Sequence, residues 1–440
     1  MPDLSVQLGP LKLKNPLITG AGPLAGTADH IRACVDAGFG AVCTKTTSHS
    51  PYLQRYPRPL YTLVDYMKFR ENPYYIPRDY TWLHREHNSF IPPDKFVHIV
   101  KEVADYCHDH DCVLIGTFAG RGLSEWEKTV PAYVEAGVDA MELNFCCPFP
   151  PTELVTDPDD AFMGIEYTKH PEKGADIIRR LKEMVDIPLF PKLSPAGGDF
   201  IKVAKIFKEA GADGLSFFAN EKFLRIDIET GKPVNYGPCA GTMPTIKAHT
   251  MRWISEIFME TGLPILGGRG ATRWDDIIEF LMAGAAAVEM CSPIMLQGLG
   301  YVKKHLQGVE EFMVRKRIDK LESIRGQAVK HIYTAQQMID DVKALYSEVD
   351  MIKCIGCHRC TEVCVYGAIQ TLPKKARVIK EKCAGCTLCA QVCPVCAIDV
   401  HERDNDEDHF RALAWEHQEL FPEMFKDVKK KKKAKSSKKK

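Results

Sequence analysis

The sequence lacks net charge: 58 basic residues balance 58 acidic ones over 440 positions. It lacks any apolar run of about 18 residues, so no membrane-spanning helix is predicted. The opening MPDLSVQLGP shows no basic segment leading into an apolar one, so no secretory signal is expected and the expected location is the cytoplasm. A dinucleotide fingerprint is missing too: residues 267–270 read GGRG rather than G-x-G-x-x-G. A pyridine nucleotide is therefore expected on another polypeptide. Hydrophobic residues make up 45%, an ordinary globular share, which argues against wholesale disorder or a nucleic-acid-coating role.

Cysteine, by contrast, is abundant, with 17 residues. Without a signal segment a disulfide framework is not expected, and metal or redox use is the better reading. Nine of the cysteines fall between Cys354 and Cys396, and the other eight spread over residues 34–291. This shift sets a domain boundary near residue 349. Charge is uneven as well. Lys426–Lys440 holds ten lysines and one acid, a +9 tail that leaves −9 for the rest. The tail reads as low-complexity, disordered and solvated, and nucleic-acid contact is not expected outside it. The preceding acidic stretch, Glu402–Asp408, reads as a linker or an electron-partner surface.

The first 300 or so residues repeat one pattern. VDAGFGAV (35–42), VEAGVDAMEL (134–143), KEAGADGLSF (208–217) and LMAGAAAVEM (281–290) each run from an amphipathic helix through Ala-Gly into an apolar strand. Gly38, Gly137, Gly211 and Gly284 are the expected caps, where positive φ is needed. Eight strands are predicted, at 17–21, 41–46, 113–117, 140–145, 189–194, 214–218, 264–268 and 287–291. Near-continuous apolar runs suit strands buried on both faces. Eight such strands with intervening helices imply a (β/α)8 TIM barrel, with an open doubly wound sheet as the alternative. Function is then expected at the C-terminal strand ends. The predicted organisation is a barrel over 1–310, a helical linker over 311–348, a cluster domain over 349–402, and the acidic linker and lysine tail over 403–440.

One connection is long. Residues 47–93 form a predicted loop with seven of the 15 tyrosines (Tyr52, Tyr56, Tyr61, Tyr66, Tyr74, Tyr75, Tyr80) plus Trp82. It reads either as an active-site cover or as a small aromatic-stapled subdomain.

The cysteine spacing is specific. Cys354, Cys357, Cys360 and Cys364 make C-x2-C-x2-C-x3-C, and Cys383, Cys386, Cys389 and Cys393 repeat it, with Pro394 following. One tight loop thereby delivers three thiolates to a cube while the fourth crosses to the other cube. Two [4Fe–4S] clusters are predicted, one on Cys354, Cys357, Cys360 and Cys393 and one on Cys383, Cys386, Cys389 and Cys364. Structural zinc normally uses paired C-x2-C arms instead. Two cubes make an electron wire, and a flavin in the barrel would convert between electron pairs and single electrons.

Asn144-Phe-Cys-Cys-Pro148 on such a barrel resembles the dihydroorotate dehydrogenases and the FMN domain of dihydropyrimidine dehydrogenases. With the double cluster behind it, the chain resembles an FMN and iron–sulfur subunit over residues 3–400. The resemblance implies FMN, a small-molecule substrate and reduction of a pyrimidine-like ring at an activated C=C bond. It also implies an oligomer and an electron partner, either a flavoprotein that oxidises NAD(P)H or a ferredoxin. Ala21 and Gly22 match small residues closing on the flavin, and Lys45 and Thr46 match the pair after the second strand. Asn144 matches an amide that reads flavin or substrate, and Lys192 matches the lysine at the flavin pyrimidine ring. Gly241, Gly267, Gly268, Cys291 and Ser292 match residues near the phosphate. Cys147 matches the acid/base that moves a proton at the carbon next to the one exchanging hydride with flavin N5. Cys146 beside it is often serine, so either thiol is a candidate and Cys147 is favoured. Substrate contacts depart from the family: Phe149 replaces an asparagine, and Asn220 is a displaced counterpart of the Asn-Thr pair. The alternatives are dihydroorotate, an aromatic or enoyl substrate, or an electron-transfer subunit that uses flavin only as a relay.

Overall fold

The structure is a computed structural model. It describes residues 2–55, 60–64, 80–86, 88–147, 162–195, 198–219 and 221–404, with short pieces at 410, 412–414, 419–420 and 422–423. The chain divides into two compact units, Met1–Ile332 and Tyr333–Lys440.

The first unit is a closed barrel of eight parallel strands: β1 (Leu17–Thr19), β2 (Ala41–Cys43), β3 (Val113–Phe118), β4 (Ala140–Phe145), β5 (Leu189–Leu193), β6 (Leu215–Ser216), β7 (Ile265–Gly267) and β8 (Ala287–Met290). Each pairs with the next, and β8 closes on β1 with Val288 opposite Leu17. Every residue of β1, β2, β4 and β5 is buried, as helices outside and side chains inside require. The helix Pro93–Asp109 shows how the outer layer is encoded. Phe96, Val100, Val103 and Cys107 recur at helical spacing and are fully buried. Gly38, Gly137, Gly211 and Gly284 all adopt φ between +98° and +109°, which turns each helix end toward the next strand.

Two of the predicted domain limits move. The helix Tyr301–Lys316 packs on Trp274–Met282. Met313, Leu321 and Ile324 are buried in the barrel core, and Leu321 N donates to Asp3 O at 2.9 Å. Residues 311–332 thus belong to the barrel because they complete its outer layer. At the other end of the expected linker, Leu345–Val349 pairs antiparallel with Ile398–Glu402 and so belongs to the cluster domain. Only 333–344 separates the two, with the short helix Ala335–Asp341 in it.

Within the long connection, the described residues form a helix (Pro51–Arg55) and two strands, Leu60–Val64 and Thr81–Arg85. These join Cys239–Thr242 and Glu221–Phe223, from the connection after β6, in a four-stranded antiparallel sheet. Tyr61 stacks on Trp82 at a centroid distance of 5.3 Å. The described part thus forms an aromatic-stapled subdomain, and its Tyr61, Trp82 and Glu86 also line the cavity described below, so neither reading displaces the other. No described helix is long and apolar enough to cross a membrane. The lysine tail, Pro148 and Phe149 lie outside the described residues.

Candidate active site

A cavity of about 330 Å³ opens at the C-terminal ends of the barrel strands, beside the inserted sheet. Ala21, Gly22, Lys45, Thr46, Asn144, Cys147, Lys192, Gly268, Cys291 and Ser292 all lie on its wall. Their convergence follows from the topology, since each sits on or just after the end of a strand of one closed barrel.

At the end of β4 one amide organises two thiols. Asn144 Nδ2 donates to Cys147 Sγ at 3.2 Å, while Asn144 Oδ1 accepts from the Cys147 backbone N–H at 3.1 Å and from the Cys146 thiol at 3.2 Å. The Cys146 hydrogen bond first, then that of Asn144 and the charges of Lys45 and Lys192, hold the Cys147 thiol down at about 7 against its burial. Burial and the neighbouring thiolate push Cys146 well above the ordinary range. Two adjacent thiols thus titrate apart, and the one that titrates near neutrality is half-buried on the cavity wall.

Two cations reach the cavity floor. Lys45 pairs with Glu86 of the inserted segment at 2.6 Å. Lys192 donates to Glu142 Oε2 at 2.9 Å and to Glu289 Oε2 at 2.8 Å. Burial alone would lower the Lys192 ammonium, but the two carboxylates hold it charged well above the usual lysine range.

Arg269 gives the cavity wall a further anion-binding group. Arg269 follows Gly268 at the end of β7, and its side chain is 2% exposed. None of its three guanidinium nitrogens has a hydrogen-bond partner among the described residues, and the nearest carboxylate oxygen, Glu221 Oε1, lies 3.5 Å away. A buried guanidinium on a cavity wall requires an anion. Two glycines let neighbouring strand ends close tightly on this wall. Gly268 has φ +141° and a Cβ there would fall 2.2 Å from Glu289 O, while a Cβ on Gly22 would fall 2.3 Å from Cys291 Sγ. The donor set suits a flavin mononucleotide, with the Lys45 and Lys192 cations for the ring and, for the phosphate, the Arg269 guanidinium, which has Glu221 at 3.5 Å but no hydrogen bond among the described residues.

The second unit repeats a half-motif. Four cysteines, Cys354, Cys357, Cys360 and Cys393, line one small cavity, and Cys364, Cys383, Cys386 and Cys389 line another. The positive φ of Gly356 (+71°) and Gly385 (+72°) bends each loop. A Cβ at either would fall within 2.4 Å of a neighbouring backbone.

The family model described as "Dihydroorotate dehydrogenase" matches residues 93–313, half of the chain. The chain belongs to the dihydroorotate dehydrogenase family. As such it is an oxidoreductase acting on CH–CH groups. The model described as "4Fe-4S dicluster domain" matches residues 347–400, so this family member carries an iron–sulfur domain behind its barrel. Among its relatives is the NAD-dependent dihydropyrimidine dehydrogenase subunit PreA of Escherichia coli K12, 28% identical over 380 residues, which span 84% of this chain and 87% of the relative. Another is the catalytic subunit of dihydroorotate dehydrogenase B (NAD(+)) from Thermoplasma volcanium, 29% identical over 333 residues, covering 75% of this chain and all of the relative.

Against the dihydroorotate dehydrogenase pattern, two glycines expected near the cofactor are placed elsewhere. Gly241 sits inside the inserted sheet, where a Cβ would meet Phe223 at 2.7 Å, and Gly267 faces Ile254 and Phe280. Neither lines the cavity, although Ala240, Thr242 and Gly268 beside them do. Asn220 lies outside the described residues. Glu86, Glu142, Arg269 and Glu289 are on the wall and escaped the sequence reading. The available signal was a lone charge in an apolar setting, as in MELNF, GGRG and AVEM. Burial pushes the Cys34, Cys107 and Cys112 thiols up to about 12, which suits inert packing.

Proposed function

We propose that this chain is an FMN- and iron–sulfur-dependent enzyme that interconverts the CH–CH and C=C forms of a pyrimidine-like ring. The observation that carries this is Cys147, a wall thiol held near neutrality by Asn144 and Cys146. FMN, when bound, supplies hydride exchange at N5 and passes single electrons to the clusters. Cys147 gives or takes the proton at the neighbouring carbon, and Asn144 keeps its sulfur oriented. Lys192 and Lys45 supply positive charge at the ring end, Arg269 holds the phosphate, and the glycines at 22 and 268 keep the wall close. Ala21, Thr46, Cys291 and Ser292 complete the cradle. Cys354, Cys357, Cys360 and Cys393 hold one [4Fe–4S] cluster, and Cys364, Cys383, Cys386 and Cys389 hold the second.

No dinucleotide fingerprint occurs in the sequence, and the relatives are named as subunits of NAD-dependent enzymes. The electron partner is therefore a flavoprotein subunit that oxidises NAD(P)H, or a ferredoxin, in a cytoplasmic assembly. A second reading keeps the apparatus and changes the substrate to dihydroorotate or to an aromatic or enoyl compound. The inserted sheet favours it by setting the stacked Tyr61 and Trp82 and the Lys222 ammonium on the cavity wall.

The test is anaerobic rapid mixing of the holoprotein with dihydrouracil, dihydrothymine, dihydroorotate and NAD(P)H while the flavin bleaches. One of the dihydro compounds should bleach it, and NAD(P)H alone should not. Reduction by a ferredoxin and by no carbon acid would make the protein a relay subunit instead.

A further inference from the structure

Glu142, Lys192 and Glu289 form a buried triad on the cavity floor with more negative than positive charge. Lys192 Nζ donates to both carboxylates, at 2.9 Å and 2.8 Å, and the three side chains are 1% to 12% exposed. The Ser216 hydroxyl lies 2.7 Å from Glu142 Oε2 and 3.4 Å from Glu289 Oε1. Two carboxylates share one ammonium, which leaves one buried negative charge uncompensated. Such a charge is costly in a low-dielectric site.

The other groups facing Glu289 do not cancel that charge. From β2 comes Cys43, whose thiol burial and the two carboxylates keep protonated. From the loop after β2 comes Lys45, already committed to Glu86. Cys146 after β4 and Cys291 after β8 are thiols pushed up by burial. One further observation points to a missing proton. Glu142 Oε1 is buried and has no hydrogen-bond donor among the described residues, although an oxygen of Glu289 lies within 4.8 Å of one of Glu142. Cys43, Glu142 and Glu289 lie close enough together for a cation, but the Lys192 ammonium already occupies the two carboxylates.

We propose that Glu289 is a redox-linked proton site: its carboxyl binds a solvent proton whose uptake accompanies reduction of the cofactor in this cavity. This rests on the flavin reading above. The balance is simple. The electron pair comes from the CH–CH substrate, or from dithionite in a titration. One proton enters the flavin with the pair, and a second moves from water to the Glu289 carboxylate. No bond to carbon forms or breaks there. Reduction adds negative charge beside a site that already has an excess, and protonating Glu289 removes it.

The pH window follows. Burial first, then the Glu142 charge, raise Glu289 to about 8 in spite of Lys192. Below about 8 the carboxyl is already protonated and reduction takes up nothing extra there. Above it the oxidised state is ionised, and reduction, which raises proton affinity further, draws the proton in.

The experiment is a potentiometric titration of the flavin in the full-length holoprotein from about pH 6.5 to about pH 9.5, wild type against Glu289→Gln. Each proton taken up per electron pair lowers the potential by about 30 mV per pH unit. The wild-type slope should steepen from about 30 to about 60 mV per pH unit above about pH 8, and the variant should stay near 30. A second readout needs no variant to fold: the wild-type reduced-minus-oxidised infrared difference spectrum at about pH 8.5 should gain a carboxylic-acid carbonyl band. Equal slopes in both proteins, or a wild-type spectrum without that band, would overturn the proposal alone. A holoprotein that neither carries nor binds flavin would overturn the flavin reading and this proposal together.

Discussion

At Asn144 a single amide serves two neighbouring thiols, and the chemistry at the residue scale depends on which end faces which sulfur. With Cys147 held at about 7, its sign in a pH profile is fixed by direction. Ring reduction needs the thiol as acid, so its rate should fall as pH rises through about 7. Ring oxidation needs the thiolate as base, so its rate should rise through the same region. Replacing Asn144 with Ala removes a hydrogen bond to the thiolate and should move both limbs to higher pH, which flavin reduction by the dihydro compound and flavin reoxidation by the unsaturated one, each measured across pH, would show. At this scale the sequence was legible where a polar residue closes a predicted strand, as at Lys45, Asn144, Cys147 and Lys192, all of which line the cavity. It was not legible at Glu86, Arg269 and Glu289, because a lone charge shows its partner only once distant strands meet. Glu289 and Lys192 are 97 positions apart.

Elements divide along the same line. The eight barrel strands and the four Ala-Gly caps were readable because each unit states its own period and its own turn. The inserted sheet was not, since Thr81–Arg85, the partner of Leu60–Val64, finds its other neighbour, Cys239–Thr242, far along the chain in the connection after β6. Two predictions belong here. Gly268→Ala forces a Cβ onto the Glu289 backbone at a positive φ, so it should cost about 2 kcal/mol or more and release flavin. Thermal unfolding and the flavin content of the purified variant measure both effects. In the second unit, the Ser347 backbone N–H donates to Cys383 Sγ, and its hydroxyl lies 3.4 Å from Cys389 Sγ. Hydrogen bonding at cluster sulfurs raises the reduction potential. Ser347→Ala should therefore lower one cluster by on the order of tens of millivolts and leave the other unchanged, as a spectroscopic redox titration would show.

On the scale of the whole molecule, 17 cysteines and zero net charge resolve into two units with different work. The proposed function assigns carbon chemistry to Met1–Ile332 and single-electron transfer to Tyr333–Lys440. Residues 1–332 expressed alone should still have their flavin reduced by substrate but should lose turnover with a one-electron acceptor, since the barrel carries its own closed core. Paired assays of flavin bleaching and acceptor reduction separate the two activities.

The most direct measurement is single-turnover flavin reduction by the dihydro substrate in wild type and Cys147→Ala, with flavin and cluster absorbance followed together. The account predicts a flavin reduction rate about 10² to 10⁴ times slower in the variant, with flavin and cluster content unchanged. Equal rates in the two proteins would contradict it.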